Sequence, residues 1–576
     1  MASCWKLDAP GPPTIRHSLI SLLCFLLLCI NTAIAENSAD SELTGIEQLF
    51  KNEQWQEIAK RPPHAGDPSD FYFYYGSALA HLERWDDAHA AFESGYRTWP
   101  ADPRFPTELA GVAFKQVRYT EAQAWLQRSL RINPDDNYTN DFLATIFFLQ
   151  GNRDAALKYW NRPGKPRIES VLYRPPPRIN PVLLDRAFVF SPASILSLPD
   201  LLTSELRIRQ LGVFGVSNFE LEAQPAGNFN LVFGNSERNG CGQNQWECLL
   251  LILGSTPAQT VKFNYFNIGR KAINFHSRYR WDAQKRRIAA EIDTPVAGQP
   301  KWHLQAGTDL RNENWGIRRT FTGPAPLLAA LNLKREAVSA DFIDVVNGKW
   351  SWSEATEFSH RSYNNVLAGN FLTPQLLIAG NQLKQAVALQ VTLLRYPERR
   401  FTIESGARAD VAKLWAGRGN NFATFTGTIG LNWFPQPTGD KYELQHTIRL
   451  GKTVGDLPFD ELFTLGVLGD TTLLMRAHIA TRDGQKGSAP LGRNYFLSNW
   501  DAIRSISPLT RFNLKVKVGP FLDTGKITDP NAALGSHKWL WDAGIEAKVQ
   551  VFGFGVALSY GRDLRAGHNA IVARIP

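Results

Sequence analysis

The stretch INFHSRYRWD, residues 273–282, decides the fold of the C-terminal half of this 576-residue chain. Apolar side chains at Ile273, Phe275, Tyr279 and Trp281 alternate with asparagine, histidine, arginine and aspartate. A β-strand points successive side chains to opposite faces, so the stretch predicts a strand with one apolar and one charged face. The same period of two recurs at residues 387–393, 444–450, 512–518 and 543–549.

In strands with two such unlike faces, the charged face needs water and the apolar face needs an apolar environment. A soluble β-sandwich, the alternative, would turn its apolar faces into a core. Here the polar faces carry full charges along whole strands, and aromatic residues fall near predicted strand ends, as interfacial girdles do: Trp281, Trp302, Trp433 and Trp539. Residues 245–576 are therefore predicted to form a transmembrane antiparallel β-barrel of about 16 strands, at roughly 20 residues per strand and connection. Its outer face would contact outer-membrane lipid.

The first residues have the features of an export signal. Arg16 precedes an apolar run, Leu19–Ile30, and Ala33-Ile34-Ala35 has the small-x-small form that a signal peptidase cuts. A membrane anchor is the alternative, but the run is short for a span. Residues 1–35 are therefore predicted to be a cleaved signal peptide. This places the barrel in the bacterial outer membrane and the N-terminal domains in the periplasm.

Cleavage would leave Cys241 and Cys248 of the five cysteines. An even pair in an exported chain predicts a small disulfide loop. Two unpaired thiols are the alternative.

An internal repeat occupies the N-terminal region. Small residues, an aromatic residue and a proline recur with the period of 34 residues that is typical of the tetratricopeptide repeat. The positions are Gly76, Ala88, Phe92 and Pro100 in the first repeat, Ala110, Ala122 and Pro134 in the second, and Ala144 and Ala156 in the third. Small residues let paired helices approach closely, and proline ends the second helix of a repeat. Residues 40–165 thus resemble the tetratricopeptide (TPR) family, which implies an α-helical solenoid whose groove takes a peptide or protein partner; a scaffold without a ligand is the alternative.

A small module is predicted between the repeats and the barrel, over residues 166–240. Its prolines at residues 175–177 predict a linker, which is followed by a short strand at 187–190, a helix at 199–211 and strands at 216–224 and 229–233. The words RQLGVFGVSNFELEAQ and FNLVFGNSERN resemble a POTRA domain, the periplasmic α/β module that precedes translocator barrels. That resemblance implies a sheet edge that accepts an extra strand from a client. An unrelated small α/β module is the alternative.

The barrel region carries a resemblance of its own. Residues 261–295 and the words Leu474–His478 and Phe521–Ile527 are similar to the bacterial surface-antigen barrels, a superfamily that includes the assembly factors BamA and TamA and the two-partner-secretion transporters. The resemblance implies that Arg476, on a loop folded into the lumen, meets Asp523 of the Phe-x-Asp-x-Gly word that Gly525 completes.

The sequence departs from the family pattern at two places. Ala477 and His478 stand where glycine and tyrosine are usual, and the chain ends on a proline instead of an aromatic residue. Asp523 shares the odd-numbered register of Lys515 and Lys517, which predicts that it faces the lumen. Either lysine is an alternative partner for its carboxylate. If Arg476 is the partner, Arg476 and Asp523 would form a latch that holds the loop inside the barrel.

No catalytic residue, metal site or cofactor is predicted, because the sequence has no nucleophile elbow, zinc-binding motif or phosphate loop. The formal charge of +9 is modest and the basic residues are spread over many strands, so no nucleic-acid partner is expected. The expected function is the translocation or assembly of a polypeptide client that the periplasmic domains recruit. The alternatives are an export porin for a surface polysaccharide, a lipoprotein-display factor and a passive barrel with an interaction arm.

Overall fold

The computed structural model describes residues 42–255, 259–318, 326–416, 418–467, 473–509, 514–531, 534–536, 538–551 and 554–574. The predicted signal peptide and Pro576 lie outside the described residues. The chain divides into two compact units, Met1–Ile146 and Phe147–Pro576. Among the described residues, every helix falls short of the length and apolar character that crossing a bilayer requires.

The first unit is built from consecutive helices. They are α1 (42–51), α2 (Trp55–Ile58), α3 (Ser69–His81), α4 (Trp85–Thr98), α5 (Arg104–Lys115), α6 (Tyr119–Ile132) and α7 (Asn137–Leu149), which runs into the second unit. Helix α3 packs against α4, and α5 packs against α6. In α4, Asp86 in the first turn and Arg97 in the last turn oppose the helix dipole, which favours this helix.

The predicted small residues lie where these helices touch. A Cβ atom added to Gly76 of α3 would lie 2.6 Å from Cε1 of Phe92 in α4, and the Phe92 side chain is fully buried. The other small positions, Ala88, Ala110, Ala122 and Ala144, are also fully buried, as is Ala156 in the second unit. Pro100 and Pro134 follow the ends of α4 and α6, where a missing amide hydrogen costs no helical hydrogen bond.

Replacing Gly76 by valine is expected to loosen the α3–α4 pair, because the Phe92 ring would have to leave its buried position. Overpacking of this kind costs roughly 1–3 kcal/mol. Hydrogen–deuterium exchange of the full chain should show faster exchange at the α3 and α4 amides in Gly76→Val than in the wild type. Gly45→Ala is the matched control, since nothing lies within 4 Å of a Cβ atom added there. Equal exchange in the two variants would contradict this packing.

A three-stranded sheet with two helices follows α8 (Arg153–Trp160) in the second unit. It contains β1 (Ile168–Arg174), α9 (Pro181–Ala187), α10 (Leu198–Gln210), β2 (Phe214–Ala223) and β3 (Phe229–Glu237). The strand order is β1-β3-β2, with β1 parallel and β2 antiparallel to the central β3. Both outer strands therefore have an open edge in this sheet. We call these elements the α/β module.

The start of the α/β module differs from its prediction. The strand predicted at residues 187–190 is wrong, and the segment before it, Pro181–Ala187, is a helix. Its proline suits the first helical turn, and the side chain of Asn180 accepts the Val182 amide hydrogen as a helix cap. The first strand lies earlier, at Ile168–Arg174, directly before the prolines of the linker.

A closed antiparallel sheet makes up most of the second unit. Its long strands are β4 (Thr260–Ile268), β5 (Ile273–Arg280), β6 (Lys285–Pro295), β7 (Trp302–Arg318), β8 (Leu327–Asp344), β9 (Trp350–Leu367), β10 (Gly380–Tyr396), β11 (Phe401–Ala416), β12 (Arg418–Trp433), β13 (Tyr442–Gly455), β18 (Asn494–Leu509), β19 (Leu514–Thr528), β20 (Leu540–Val551), β21 (Phe554–Asp563) and β22 (Asn569–Arg574). The four short strands between β13 and β18 are β14 (Phe463–Thr464), β15 (Thr481–Arg482), β16 (Gln485–Lys486) and β17 (Leu491–Gly492). The ring closes between β22 and β4. Because β13 pairs directly with β18, β15 and β16 lie outside the row of long strands and join the sheet through a bridge from β16 to β7.

The region predicted as the barrel, from residue 245 onward, begins with a helix. Gln245–Ser255 forms α11, and the first strand of the barrel starts at Thr260. A short apolar run does not distinguish a strand from a buried helix by periodicity alone. The Asn244 side chain accepts the Glu247 amide hydrogen at 2.9 Å and caps the helix, which favours it over a strand.

Side chains alternate between the two faces of the barrel wall. On β6 and β7, Ile288 and Leu310 are exposed on one face. On the other face, Arg287 and Asp309 form an ion pair at 2.8 Å. The tryptophans singled out in the sequence lie at strand ends or directly beside them: Trp281, Trp302, Trp433 and Trp539. The wall thus has an apolar outer face and an inner face whose charges are paired.

The α/β module and α8 contact the turns at one end of the barrel. Asn152 beside α8 donates to the carbonyl oxygen of Pro397 at 2.9 Å. Thr203 of α10 accepts the amide hydrogen of Gly348 at 2.9 Å. These two turns join β10 to β11 and β8 to β9. Because successive strands run in opposite directions, the connection from β13 to β18 starts from the other end of the barrel.

Candidate functional site

The connection between β13 and β18, residues 456–493, folds back into the barrel, and we call it the lumen loop. Its described parts are residues 456–467 and 473–493. Leu465 and Met475 of the loop are fully buried in a cluster that includes Leu497 of β18 and Ile527 of β19. The short strands β14 and β17 pair with each other, which gives the loop a framework of its own.

Arg476 of the lumen loop and Asp523 of β19 form a two-pronged ion pair. Arg476 Nη2 lies 2.6 Å from Asp523 Oδ1, and Arg476 Nε donates to Asp523 Oδ2 at 2.9 Å. The backbone amide of Arg476 also donates to Asp523 Oδ2, at 3.0 Å. Both side chains are buried, and a buried pair is stable only when the remaining hydrogen bonds are satisfied. Asn499 of β18 meets that requirement by donating to Asp523 Oδ1 at 2.7 Å.

The guanidinium group of Arg476 has further partners on the wall. Asp501 Oδ1 lies 2.5 Å from its Nη1 atom, and Glu546 Oε2 lies 3.8 Å from the same atom. The ring of Phe521, the first residue of the Phe-x-Asp-x-Gly word, lies 3.8 Å from the guanidinium carbon. The positive charge is therefore enclosed by carboxylates and one aromatic face.

Gly525 leaves room for the lumen loop beside this pair. A Cβ atom added to Gly525 would lie 3.1 Å from Met475 Sδ and 3.2 Å from Leu465 Cδ1. The structure therefore brings the three residues singled out in the sequence, Arg476, Asp523 and Gly525, to one contact. Of the two alternative partners for Asp523, Lys517 lies 3.1 Å from Glu443 and Lys515 is exposed.

Ala477 and His478, the departures from the family pattern, bind a second pair of carboxylates that the sequence analysis missed. The amide of Ala477 donates to Asp542 Oδ2 at 2.7 Å. Nδ1 of His478 lies 2.9 Å from Asp542 Oδ1, and Nε2 lies 3.5 Å from Asp563 Oδ2. The backbone of this segment lies close to Gly561, where an added Cβ atom would lie 3.2 Å from the Ala477 nitrogen.

His478, Asp542 and Asp563 could in principle hold a metal ion, because one possible ligand atom from each lies within 4.8 Å of the others. The two ring nitrogens of His478, however, face different carboxylates. A cation bound by all three residues would need a single ring nitrogen of His478 that points toward both carboxylates. The arrangement is therefore that of an imidazole bridging two carboxylates on neighbouring strands.

Removing one partner of the Arg476–Asp523 pair is expected to destabilise the barrel. Arg476→Gln leaves the buried Asp523 carboxylate without its cation, and Asp523→Asn leaves the buried guanidinium group with the carboxylates of Asp501 and Glu546 only. Asp523→Asn or Arg476→Gln alone should cost roughly 3–5 kcal/mol, and the double variant should cost less than the sum of the two. The measurement is the free energy of unfolding in urea, followed by tryptophan emission. Lys517→Gln, at a partly exposed pair on the same strand, is the control and should cost about 0–1 kcal/mol. Additive costs at Arg476 and Asp523 would contradict the pairing.

The lumen loop is also anchored to the opposite wall, through Asp460 and Glu461. Asp460 Oδ1 lies 3.1 Å from Arg361 Nε and accepts the Tyr363 hydroxyl hydrogen at 3.0 Å. Glu461 accepts from Lys384 Nζ at 3.2 Å. Arg361 on β9 is fully buried, so its charge depends on these loop carboxylates. We call this the acidic anchor.

Apolar side chains reinforce the acidic anchor at the barrel end opposite the α/β module. Phe459 of the loop packs edge-on against Trp315 of β7, with ring centroids 5.0 Å apart. The buried cluster around them combines wall residues with residues of three connections: Leu331, Leu333, Leu414 and Phe422 from the wall, and Leu372, Leu376, Ile378, Leu457, Leu462, Leu491 and Leu534 from the connections. Lys486 of the loop adds an ion pair with Glu313 of β7 at 2.7 Å. The lumen loop thus crosses the barrel from β19–β21 to β7–β10.

Neutralising the acidic anchor is expected to open the barrel, because Arg361 and its basic neighbours would lose their buried partners. The double variant Asp460→Asn/Glu461→Gln should show higher single-channel conductance in planar bilayers than the wild type. Asp483→Asn is the matched control, since that loop carboxylate is 70% exposed. Unchanged conductance in the double variant, with the barrel folded, would show that the anchor does not hold the lumen closed.

Comparisons with known proteins give structural neighbours only. No protein-family model matches the sequence, and no curated protein matches it. BamA from Haemophilus ducreyi lacking POTRA domains 1–3 is 12% identical, over 71% of this chain and 84% of that chain, with a TM-score of 0.39. CdiB from Escherichia coli is 12% identical over 71% and 75% of the two chains, with a TM-score of 0.45. CdiB from Acinetobacter baumannii is 11% identical over 71% and 72%, with a TM-score of 0.41.

The closed sheet and the anchored loop define this chain as a large antiparallel β-barrel with an occupied interior. Its structural neighbours reported above, BamA and CdiB, are 11–12% identical to it. The likeness is too distant to transfer the role of any residue.

Proposed function

We propose that this chain is an outer-membrane barrel that translocates or assembles a polypeptide client, which a TPR-type helical arm and a POTRA-like module recruit in the periplasm. The observation that carries the proposal is the lumen loop, anchored to both walls through Arg476 and the acidic anchor. A loop tied to both walls narrows the interior of the barrel. A barrel that handles a large client needs its lumen closed while no client is engaged.

The α/β module would present the client to the barrel. Its edge strands are β1 and β2, and an extended polypeptide can add to such an edge through backbone hydrogen bonds. Val216 on β2 is exposed. The pairing of β2 with β3 has a register shift between Phe214 and Val216 and is regular from Val216 to Ala223. The contacts of α8 and α10 with barrel turns keep this edge beside the barrel opening.

The lumen loop would act as the gate. In the closed state the apolar residues around Phe459 cover the end of the lumen opposite the module. A client that enters from the module side would have to displace this cluster and break the acidic anchor. The Arg476 contact lies at the other end of the loop and would keep the loop attached to β19 during opening.

Site-specific photocrosslinking in cells tests the proposed function. A photoreactive amino acid at Val216, on the β2 edge, should capture polypeptides in transit. The same group at Val182, an exposed position on α9 of the same module, is the control. Unfolded outer-membrane proteins at Val216 would identify assembly, and one dedicated exoprotein would identify secretion. Capture of polysaccharide-synthesis enzymes, or identical products at both positions, would contradict a polypeptide client at this edge.

A further inference from the structure

Helix α11 has an unusual surface for a short helix that precedes a barrel. Its sequence QWECLLLILGS is apolar from Leu249 to Leu253. Four large side chains nevertheless face outward: Trp246 is 60% exposed, Leu249 45%, Ile252 47% and Leu253 59%. Eleven residues of helix extend only about 16 Å, which is too short to cross a bilayer.

The position of α11 follows from the segments that flank it. Before the helix, Gly240 pairs with Phe266 near one end of β4. After the helix, the carbonyl oxygen of Gln259 accepts the Trp281 amide hydrogen at the other end of β4. Helix α11 itself contacts β4, so the described residues 240–255 lie alongside this strand. Helix α11 also packs against β21, so it lies at the seam where the ring closes between β22 and β4.

Two side chains of α11, Glu247 and Cys248, connect the helix to the segment before it. Glu247 is buried, and its Oε2 atom accepts the Gln243 amide hydrogen at 2.6 Å. Cys248, in the first turns, forms a disulfide with Cys241, with the Cα atoms 5.8 Å apart. These two links fix the start of the helix to the segment before it. These links leave Trp246, Leu249, Ile252 and Leu253 exposed.

The strands on both sides of α11 carry exposed apolar residues of the same kind. Phe263 and Tyr265 on β4 are exposed, as are Leu558 and Tyr560 on β21. On the last strand, β22, Ile571 is 77% exposed. The helix contacts β4 and β21, so its exposed apolar side chains lie on an element next to those two strands. Apolar surface exposed on several neighbouring elements marks a place that another apolar phase covers.

We propose that α11 is an element of the barrel wall whose apolar face is covered by the acyl chains of the membrane at the β22–β4 seam. The inference rests on the membrane location of the proposed function. It assigns a lipid contact to a helix, whereas every other wall element is a strand. The polar first turn and the disulfide hold the helix in place, and the side chains from Trp246 to Leu253 supply the lipid-facing surface.

Tryptophan quenching in reconstituted vesicles tests the proposal. The full chain is inserted into phosphatidylcholine vesicles with or without brominated acyl chains, and the emission of Trp246 is obtained as the difference between wild type and Trp246→Phe. Trp541, an exposed tryptophan on β20, is the reference for the strand wall and is obtained from Trp541→Phe. Brominated lipid should quench Trp246 and Trp541 to a similar extent, while aqueous acrylamide should quench neither strongly.

The other outcomes separate two failures. If Trp541 is quenched by brominated lipid but Trp246 is quenched by acrylamide, α11 faces water and the inference is overturned. If Trp541 is quenched but neither reagent reaches Trp246, protein covers the helix and the inference is also overturned. If brominated lipid quenches neither tryptophan, the barrel is not in the bilayer, and the proposed function fails together with the inference.

Discussion

A fully buried carboxylate, Asp523, is the constraint on which the interior of this barrel depends. It lies on a wall strand, surrounded by side chains, and a charge in that place needs a cation within hydrogen-bonding distance. Arg476 supplies that cation from the lumen loop, through two side-chain contacts and one backbone contact. The loop therefore has to fold back into the barrel, and it carries its apolar residues with it.

The same requirement explains why the loop is held on both walls. Arg361 is fully buried on β9, and it meets the carboxylate of Asp460 from the loop. One wall thus contributes a buried anion and the other a buried cation, and the loop carries the complement of each. Breaking either contact deprives a buried charged side chain of its partner from the loop. A loop held in this way has one well-defined closed position, which is what a gate requires.

The sequence predicts the parts of this structure that follow a local rule. Period-two alternation predicts the wall strands, and Asp523 faces the interior as its odd-numbered register indicates. Arg476 was found through a short family word and not through physics. The acidic anchor was missed because Asp460 and Arg361 are 99 positions apart in sequence and neither belongs to a motif. Asp542 carried a usable signal, since it shares the register of the inward-facing positions of β20.

The sequence is least informative where two local signals compete. The apolar run of α11 fits a strand and a helix equally well, and only the cap at Asn244 distinguishes them. The strand predicted at residues 187–190 is wrong because the helix before it was not predicted, although the Asn180 cap and a proline in the first turn both favour that helix. Such caps are short and polar, so they are easily read as turns.

Disulfide trapping of the lumen loop measures its closed position directly. Cysteines introduced by Met475→Cys and Gly525→Cys should form a crosslink in native membranes without added oxidant, because Met475 Sδ lies 3.1 Å from a Cβ atom at Gly525. The pair Asp483→Cys and Gly525→Cys is the control and should stay reduced. A loop that is not held in the lumen would leave the cysteine at position 475 uncrosslinked and open to a membrane-impermeant maleimide. That result would contradict a strap anchored inside the barrel.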